Sequence, residues 1–283
     1  MNDFTELHRG FYLEGLLIDG DDLWFTDVVL GGVHNLTTGQ VVLPERTMIG
    51  GLLMNEDGSL LVAGLGGIEW VNPATGQQGV LVSGLAGANE MRSDLAGGMV
   101  FGTIDLPAIL RGEKPGPSTI CHLAQDRTLT ELTSGLAFAN GLSLSLDGSM
   151  LYFNESFAAV RAYPVDAGFV LGAMSTMREK PDCDGLALDA EGNVWISGFA
   201  SGHLLCLDPG GDEVARLELP GPACTNLRFG GPDMQDLYVT VVDPAAAQKL
   251  ADGTPLSEQS SALYRTRAAI PGAPLGKTAF ALI

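Results

Sequence analysis

The chain has 283 residues, with 15 Lys and Arg against 34 Asp and Glu, which gives a formal net charge of −19. This negative field repels nucleic acid and anionic membranes, and the few basic residues are scattered singly, so a nucleic-acid-binding function is excluded. A hydrophobic fraction of 46% with 17% charged residues excludes intrinsic disorder and predicts a globular protein.

No segment approaches the roughly 20 apolar residues that a membrane span needs. The first residues, MNDFTELHRG, have neither the basic nor the apolar region of a secretory signal, so we expect a cytoplasmic protein. The four cysteines are widely spaced and form no CxxC pair, which predicts reduced, buried thiols. The four histidines show no spacing typical of zinc binding.

One phrase recurs six times along the chain: a short strand, a polar turn with Asp, Gly or Asn, and a second apolar strand. In chain order the copies occupy residues 17–28, 53–64, 92–103, 144–156, 188–199 and 228–242. The period is about 43 residues, and further strand and turn signals between the copies indicate about four strands in each repeat.

Four-stranded units of about 40 to 50 residues around an axis are the blades of a β-propeller. The sequence therefore predicts an all-β fold: a six-bladed β-propeller with four-stranded blades and a central metal site, forming one domain over residues 1–283. We expect residues 4–9 or the C-terminal strand near 278–283 to complete a blade shared by both termini, because closure protects the sheet edges.

Two segments, 104–123 and 243–265, exceed a minimal blade and are predicted insertions. Each contains a short Ala- or Leu-rich piece that could form a helical turn. Loops of this length are often functional, so 104–123 is either a lid over a site or a surface excursion.

Four polar residues stand at equivalent places in different repeats, at or just before the recurring hairpins: Glu14, Asn89, Asn140 and Asp184. If they meet on the ring axis, two carboxylates and two amide oxygens form an all-oxygen ligand set for one divalent cation. An open site of this kind favours Ca²⁺, with Mg²⁺, Mn²⁺ or Zn²⁺ as alternatives. Asn-Gly and Asp-Gly are also common hairpin turns, so the same residues could merely shape turns.

The phrases around these residues resemble the senescence marker protein, gluconolactonase and luciferin-regenerating enzyme family of six-bladed propeller hydrolases. The resemblance runs from about Glu14 to Val242 and rests on five phrases: EG at 14–15, Asn89 followed by SDLAGGMVFGT, ANGLSLSLDGSMLYFNES, DGLALDAEGNVWISGF and TNLRFGGPDMQDLYVT. It implies that Glu14, Asn89, Asn140 and Asp184 hold a divalent cation that polarises a lactone carbonyl. It also implies that Asp184 helps to activate water or relay a proton.

The chain departs from the family pattern beside two of these residues. Family sugar lactonases read Arg-x-Asn-Asp where this chain has Gly87-Ala88-Asn89-Glu90, and Gly-Glu-Gly-Pro where it has Leu-Glu-Gly-Leu at 13–16. Without the arginine clamp, we expect a simple aliphatic or other weakly polar γ- or δ-lactone rather than a sugar lactone.

Three further residues are predicted to contact the substrate: Glu90, Asp105 and Leu106. Glu90 follows a candidate ligand directly, so it is either a base behind the cation or a surface turn carboxylate.

The leading prediction is a metal-dependent hydrolase that opens a small lactone, with Asp184 as the catalytic residue. A phosphotriesterase-like or arylesterase activity on the same ligand set is the alternative enzyme. A non-catalytic propeller that binds protein or peptide is the second alternative, because propellers support unrelated functions. No nucleic acid, membrane or obligatory protein partner is expected.

Overall fold

The computed structural model describes residues 3–282, except the side chain of residue 251. Within this range the chain forms 22 β-strands and two short α-helices. The strands build five antiparallel sheets, four with four strands and one with six. Neither helix in residues 3–282 has the length and apolar character that a membrane crossing requires.

The first sheet contains β2 (Leu13–Asp19), β3 (Asp22–Asp27), β4 (Val33–Asn35) and β5 (Val41–Val42). The six-stranded sheet contains β6 (Gly51–Met54), β7 (Leu60–Val71), β8 (Gln78–Ser93), β9 (Met99–Thr103), β10 (Ser118–Leu123) and β11 (Leu129–Leu136). The third contains β12 (Ala139–Leu144), β13 (Met150–Glu155), β14 (Ala159–Pro164) and β15 (Ser175–Glu179).

The fourth sheet contains β16 (Cys183–Leu188), β17 (Val194–Gly198), β18 (His203–Leu207) and β19 (Glu213–Glu218). The last contains β20 (Ala223–Gly230), β21 (Asp236–Val242), β22 (Ser261–Arg267) and the N-terminal strand β1 (Thr5–Gly10). The helices are α1 (Leu106–Leu110) and α2 (Pro244–Ala251).

The six-stranded sheet joins two of the predicted repeats. Strand β8 has 16 residues. Its first part pairs with β7, and the part from Ala88 to Ser93 pairs with β9. Because β8 is hydrogen bonded to both β7 and β9, the strands of two predicted blades form one sheet. The prediction of six separate four-stranded blades is therefore wrong, and the described residues form five sheets. Each recurring phrase does span the turn between two paired antiparallel strands, as predicted.

The innermost strands surround a central axis. Strands β2, β6, β8, β12, β16 and β20 each contact the next, and β20 contacts β2, so they close a ring. Every residue of β16 and β20 is buried, whereas the outer strands β11 and β15 are largely exposed. An inner strand is covered on both faces by its neighbours, which explains why β16 and β20 are buried along their whole length. The prediction of an all-β propeller is therefore confirmed.

Buried aromatic residues and cysteines of the strands fill the space between the sheets. Trp24, Tyr152 and Trp195 are at most 8% exposed, so they belong to the core. The four cysteines are buried and free, as expected from their spacing. Turn aspartates such as Asp57 and Asp147 accept a hydrogen bond from the backbone N–H two residues later, which fixes the hairpins.

Both termini tie the ring together, but in different ways. The N-terminal strand β1 pairs with β22 in the last sheet, which confirms the predicted closure by residues 4–9. The C-terminal segment instead runs across the turns of several sheets: Thr278 N donates to Met54 O, and Ala279 N donates to Gly97 O. The prediction of a blade strand near 278–283 is not met over 278–282, and residue 283 lies outside the described residues.

Candidate active site

One end of the ring opens into a pocket of about 770 Å³. Its polar lining includes Tyr12, Glu14, Asn89, Asn140 and Asp184. Its apolar lining includes Ile49, Ile104, Leu106, Ile109, Phe138 and Phe199. A few convergent polar groups in a mostly apolar concavity are typical of a small-molecule site.

The four predicted ligands come together in this pocket from four inner strands. Glu14 lies on β2, Asn89 on β8, Asn140 on β12 and Asp184 on β16. Asn140 and Asp184 lie inside strands rather than in hairpin turns, so the alternative in which they only shape turns is wrong. The recurrence of polar residues along the sequence thus reflects a shared position on the axis.

A β-bulge recurs at each of these positions. The pairing register shifts between Glu14 and Leu17, and again at the equivalent place in β8, β12 and β16. A bulge leaves residues unpaired and redirects their side chains, and bulges are common beside active sites. The glycine that follows Asn140 also has a packing role, because a Cβ on Gly141 would overlap the backbone of Asp184 and Leu186.

Hydrogen bonds link the side-chain amides of Asn89 and Asn140 to each other and to β16. Asn89 Nδ2 donates to Asn140 Oδ1 at 3.3 Å, and Asn140 Nδ2 lies 3.3 Å from Ser156 Oγ. Ser156 Oγ in turn donates to Cys183 O at 2.6 Å. This chain of contacts connects three inner strands and limits the rotation of both amides.

The two carboxylates share a poorly solvated space. Burial, and then the charge of Asp184, raises the pKa of Glu14 well above its usual range. Burial, and then the charge of Glu90, does the same to the pKa of Asp184. Burial raises the pKa of the Tyr12 hydroxyl, and the nearby charges of Glu14 and Asp184 raise it further. The site therefore concentrates negative charge where water solvates it weakly.

This donor set fits a hard divalent cation. Two carboxylates and two amides supply the oxygen ligands that Ca²⁺ and Mg²⁺ prefer. Among residues 3–282 no group of three or more His, Cys, Asp or Glu side chains is placed to hold a metal. The candidate set contains only two such residues, since its other two members are Asn89 and Asn140.

The three predicted substrate contacts have different outcomes. Leu106 lines the pocket. Asp105 instead caps α1, where its carboxylate accepts hydrogen bonds from Ala108 N and Gly116 N, both at 3.1 Å. Glu90 lies beneath the pocket and bonds to arginine side chains, so it is neither a surface turn residue nor part of the lining.

The two predicted insertions form the rim of the pocket. Helix α1 contributes Leu106 and Ile109, and α2 contributes Ala247 and Leu250, while the two helices contact each other. The predicted helical turns are confirmed, but the insertions are shorter than expected. Residues 118–123 form β10, and residues 261–265 belong to β22. Each of these strands completes the sheet from which its insertion extends.

Sequence reasoning missed Asn226, the polar residue of the sixth inner strand. Asn226 lies on β20 next to a register shift, it is 1% exposed, and its Nδ2 donates to Glu90 Oε1 at 2.5 Å. Its place in the phrase TNLRFGG matches that of Asn140 in ANGLSLS, a signal that repeat alignment could have used.

We expect Gly50→Ala to lower kcat by about 10²-fold, because a Cβ at this position would overlap Asn89 Oδ1 and displace a candidate ligand. The measurement is steady-state hydrolysis with a thermal melt to confirm folding. Gly168→Ala is the matched control, since a Cβ there meets only ordinary contacts. Equal activity of both variants would contradict a role for the Asn89 position.

The chain is similar to known proteins along most of its length. The chain is 28% identical over 269 residues to a pentonolactonase from Haloferax volcanii, covering 90% of both chains. It is 30% identical over 270 residues to a 6-deoxy-6-sulfogluconolactonase from Pseudomonas putida, covering 88% of both chains.

Two solved structures share the fold. A luciferin-regenerating enzyme superposes with a TM-score of 0.83 at 21% identity, covering 99% of this chain and all of the other. Regucalcin from Agrobacterium tumefaciens, a calcium-binding protein, superposes with a TM-score of 0.78 at 22% identity, covering 99% and 98%. Residues 13–243 match the family described as the SMP-30/Gluconolactonase/LRE-like region, so the predicted resemblance is confirmed and the chain belongs to this family.

Proposed function

We propose that this protein is a divalent-metal-dependent lactonase that opens a weakly polar γ- or δ-lactone to the hydroxy acid. Its family and its relatives named as lactonases support the reaction class, hydrolysis of a carboxylic ester bond. The observation that carries the proposal is the meeting of Glu14, Asn89, Asn140 and Asp184 at the base of one pocket.

Glu14, Asn89, Asn140 and Asp184 would hold the cation. When bound, the cation would polarise the ester carbonyl and stabilise the developing oxyanion. Asp184 would take a proton from the attacking water. Ca²⁺ is favoured because the site offers only oxygen ligands, and the calcium-binding regucalcin fold relative is consistent with that choice.

The lining of the pocket supports a weakly polar substrate. Leu106, Ile109, Phe138 and Phe199 surround the space above the candidate ligands. An apolar wall cannot satisfy the hydroxyls of a sugar lactone, which would lose hydrogen bonds to water on binding. The two relatives named above act on sugar-derived lactones by their names, so the substrate preference is the feature on which this chain would differ.

We expect an alkyl-substituted γ-lactone to have a kcat/KM at least about tenfold above that of glucono-δ-lactone. Leu106→Ser should reduce this ratio by about tenfold, because it places a hydroxyl in the apolar wall. A pH-indicator assay on both substrates measures the ratio. Leu110→Ser is the matched control, since Leu110 lies on the same helix, is 49% exposed and does not line the pocket.

The same assay separates the alternatives. A higher kcat/KM for glucono-δ-lactone would overturn the proposed substrate class while keeping the lactonase. Turnover of an aryl ester or phosphotriester alone would favour the alternative hydrolase. Silence on every substrate, with Ca²⁺, Mg²⁺, Mn²⁺ and Zn²⁺ each supplied, would favour a binding scaffold.

A further inference from the structure

A buried ion cluster lies in the central channel beneath the candidate ligands. Glu90 is 2% exposed, and its carboxylate accepts hydrogen bonds from Arg228 Nη2 at 2.6 Å and from Arg92 Nη1 at 3.0 Å. Both arginines also donate to Leu186 O, at 3.1 and 3.2 Å. The cluster therefore connects β8, β16 and β20 across the channel.

The same arginines form part of a second cavity. Arg92 and Arg228 line a space of about 300 Å³ on the side of the cluster away from the pocket, which the C-terminal residues 273–276 also line. The cluster thus separates this cavity from the candidate active site.

Asn226 connects the cluster to the candidate ligands. Its Nδ2 donates to Glu90 Oε1 at 2.5 Å, and its side chain also lies near Glu14. The bond to Glu90 therefore fixes the orientation of the Asn226 amide beside Glu14. Glu90 can therefore influence Glu14 by position as well as by charge.

The negative and positive charges of the cluster have opposite effects on a cation at the site above. Glu90 adds a negative charge beneath Glu14 and Asp184, while Arg92 and Arg228 add two positive charges. Few water molecules can screen these charges, because all three side chains of the cluster are at most 6% exposed. An attraction from Glu90 and a repulsion from each arginine should both reach a bound cation.

We propose that the Glu90, Arg92 and Arg228 cluster sets the cation affinity of the site above it and positions Glu14 through Asn226. The proposal rests on the cation site of the proposed function. Glu90 and Asn226 act as positioning residues, since the cluster lies outside the pocket lining. The arginines hold the affinity below the value that the carboxylates alone would give.

Opposite shifts in cation affinity test this proposal. We expect Arg228→Gln, which keeps a donor toward Glu90 and removes a positive charge, to tighten Ca²⁺ binding about tenfold. We expect Glu90→Gln to weaken it about tenfold, the usual range for residues behind a metal ligand. Isothermal titration calorimetry of the chelator-stripped full chain with Ca²⁺ measures both dissociation constants. A merely structural role would weaken binding in both variants.

Two further variants complete the test. Glu90→Gln combined with Arg228→Gln should return the affinity to within about threefold of the original, because the net charge is restored. Arg267→Gln removes a charge from an exposed pair with Asp233 and should leave the affinity unchanged. If Glu90→Gln fails to fold, Arg228→Gln decides alone: tighter binding supports the proposal, and unchanged or weaker binding overturns it.

The outcome also distinguishes this proposal from the proposed function. Failure of the unsubstituted protein to bind Ca²⁺, Mg²⁺, Mn²⁺ or Zn²⁺ would overturn the cation site and the proposal together. Cation binding by the unsubstituted protein with no opposite shift in the variants would overturn only the role of the cluster.

Discussion

Asp184→Asn should abolish lactone hydrolysis, with kcat/KM falling by about 10²-fold or more, while the propeller remains folded. The substitution preserves the shape of the side chain but removes one of two carboxylate ligands and the candidate base. Asp184 lies inside β16 with its backbone carbonyl bonded to Asn154 Nδ2 at 2.8 Å, so the strand does not depend on the side-chain charge. The measurement is the pH-indicator assay on an alkyl lactone, with circular dichroism as the fold check.

Asp21→Asn is the matched control, because Asp21 is an exposed carboxylate in the turn between β2 and β3. It should leave kcat/KM within about twofold of the original. Hydrolysis by Asp184→Asn at the original rate would remove Asp184 from the mechanism. Loss of fold in this variant would instead show that the side chain is structural.

Removal of the cation should lower the thermal stability of the protein as well as its activity. Burial, and then the charge of Asp184, raises the pKa of Glu14, so the two carboxylates disfavour each other's charge when no cation lies between them. Ca²⁺ at about 100 times its dissociation constant should stabilise the fold by about 2.7 kcal/mol. For a domain of this size, that corresponds to a rise in Tm of about 5 °C.

A thermal melt of the chelator-stripped protein, with and without Ca²⁺, measures this shift, and activity is followed in the same samples. Asp184→Asn should lose most of the shift, which separates binding at this site from binding elsewhere on the acidic surface. An equal shift in Asp184→Asn and the original would contradict the proposed ligand set, and full activity after chelation would contradict metal dependence.

The recurring phrases could be interpreted from sequence alone because they are local. A strand, a polar turn and a second strand form a hairpin whose sequence signals lie within about a dozen residues. Equivalent positions in successive hairpins must also be equivalent in a ring, so the repeat by itself groups Glu14, Asn89, Asn140 and Asp184. The structure brings these four side chains into one pocket.

The features that the sequence left open depend on contacts between distant residues. Glu90 reaches Asn226 and Arg228 across 136 and 138 residues, and the bulge in β8 directs it away from the pocket. The number of sheets likewise depends on whether β8 continues past its first partner. Sequence patterns specified the hairpins and the candidate ligands, because both follow from local periodicity. Tertiary structure decided the sheet count and the neighbours of Glu90, because register shifts and long-range hydrogen bonds have no local signature.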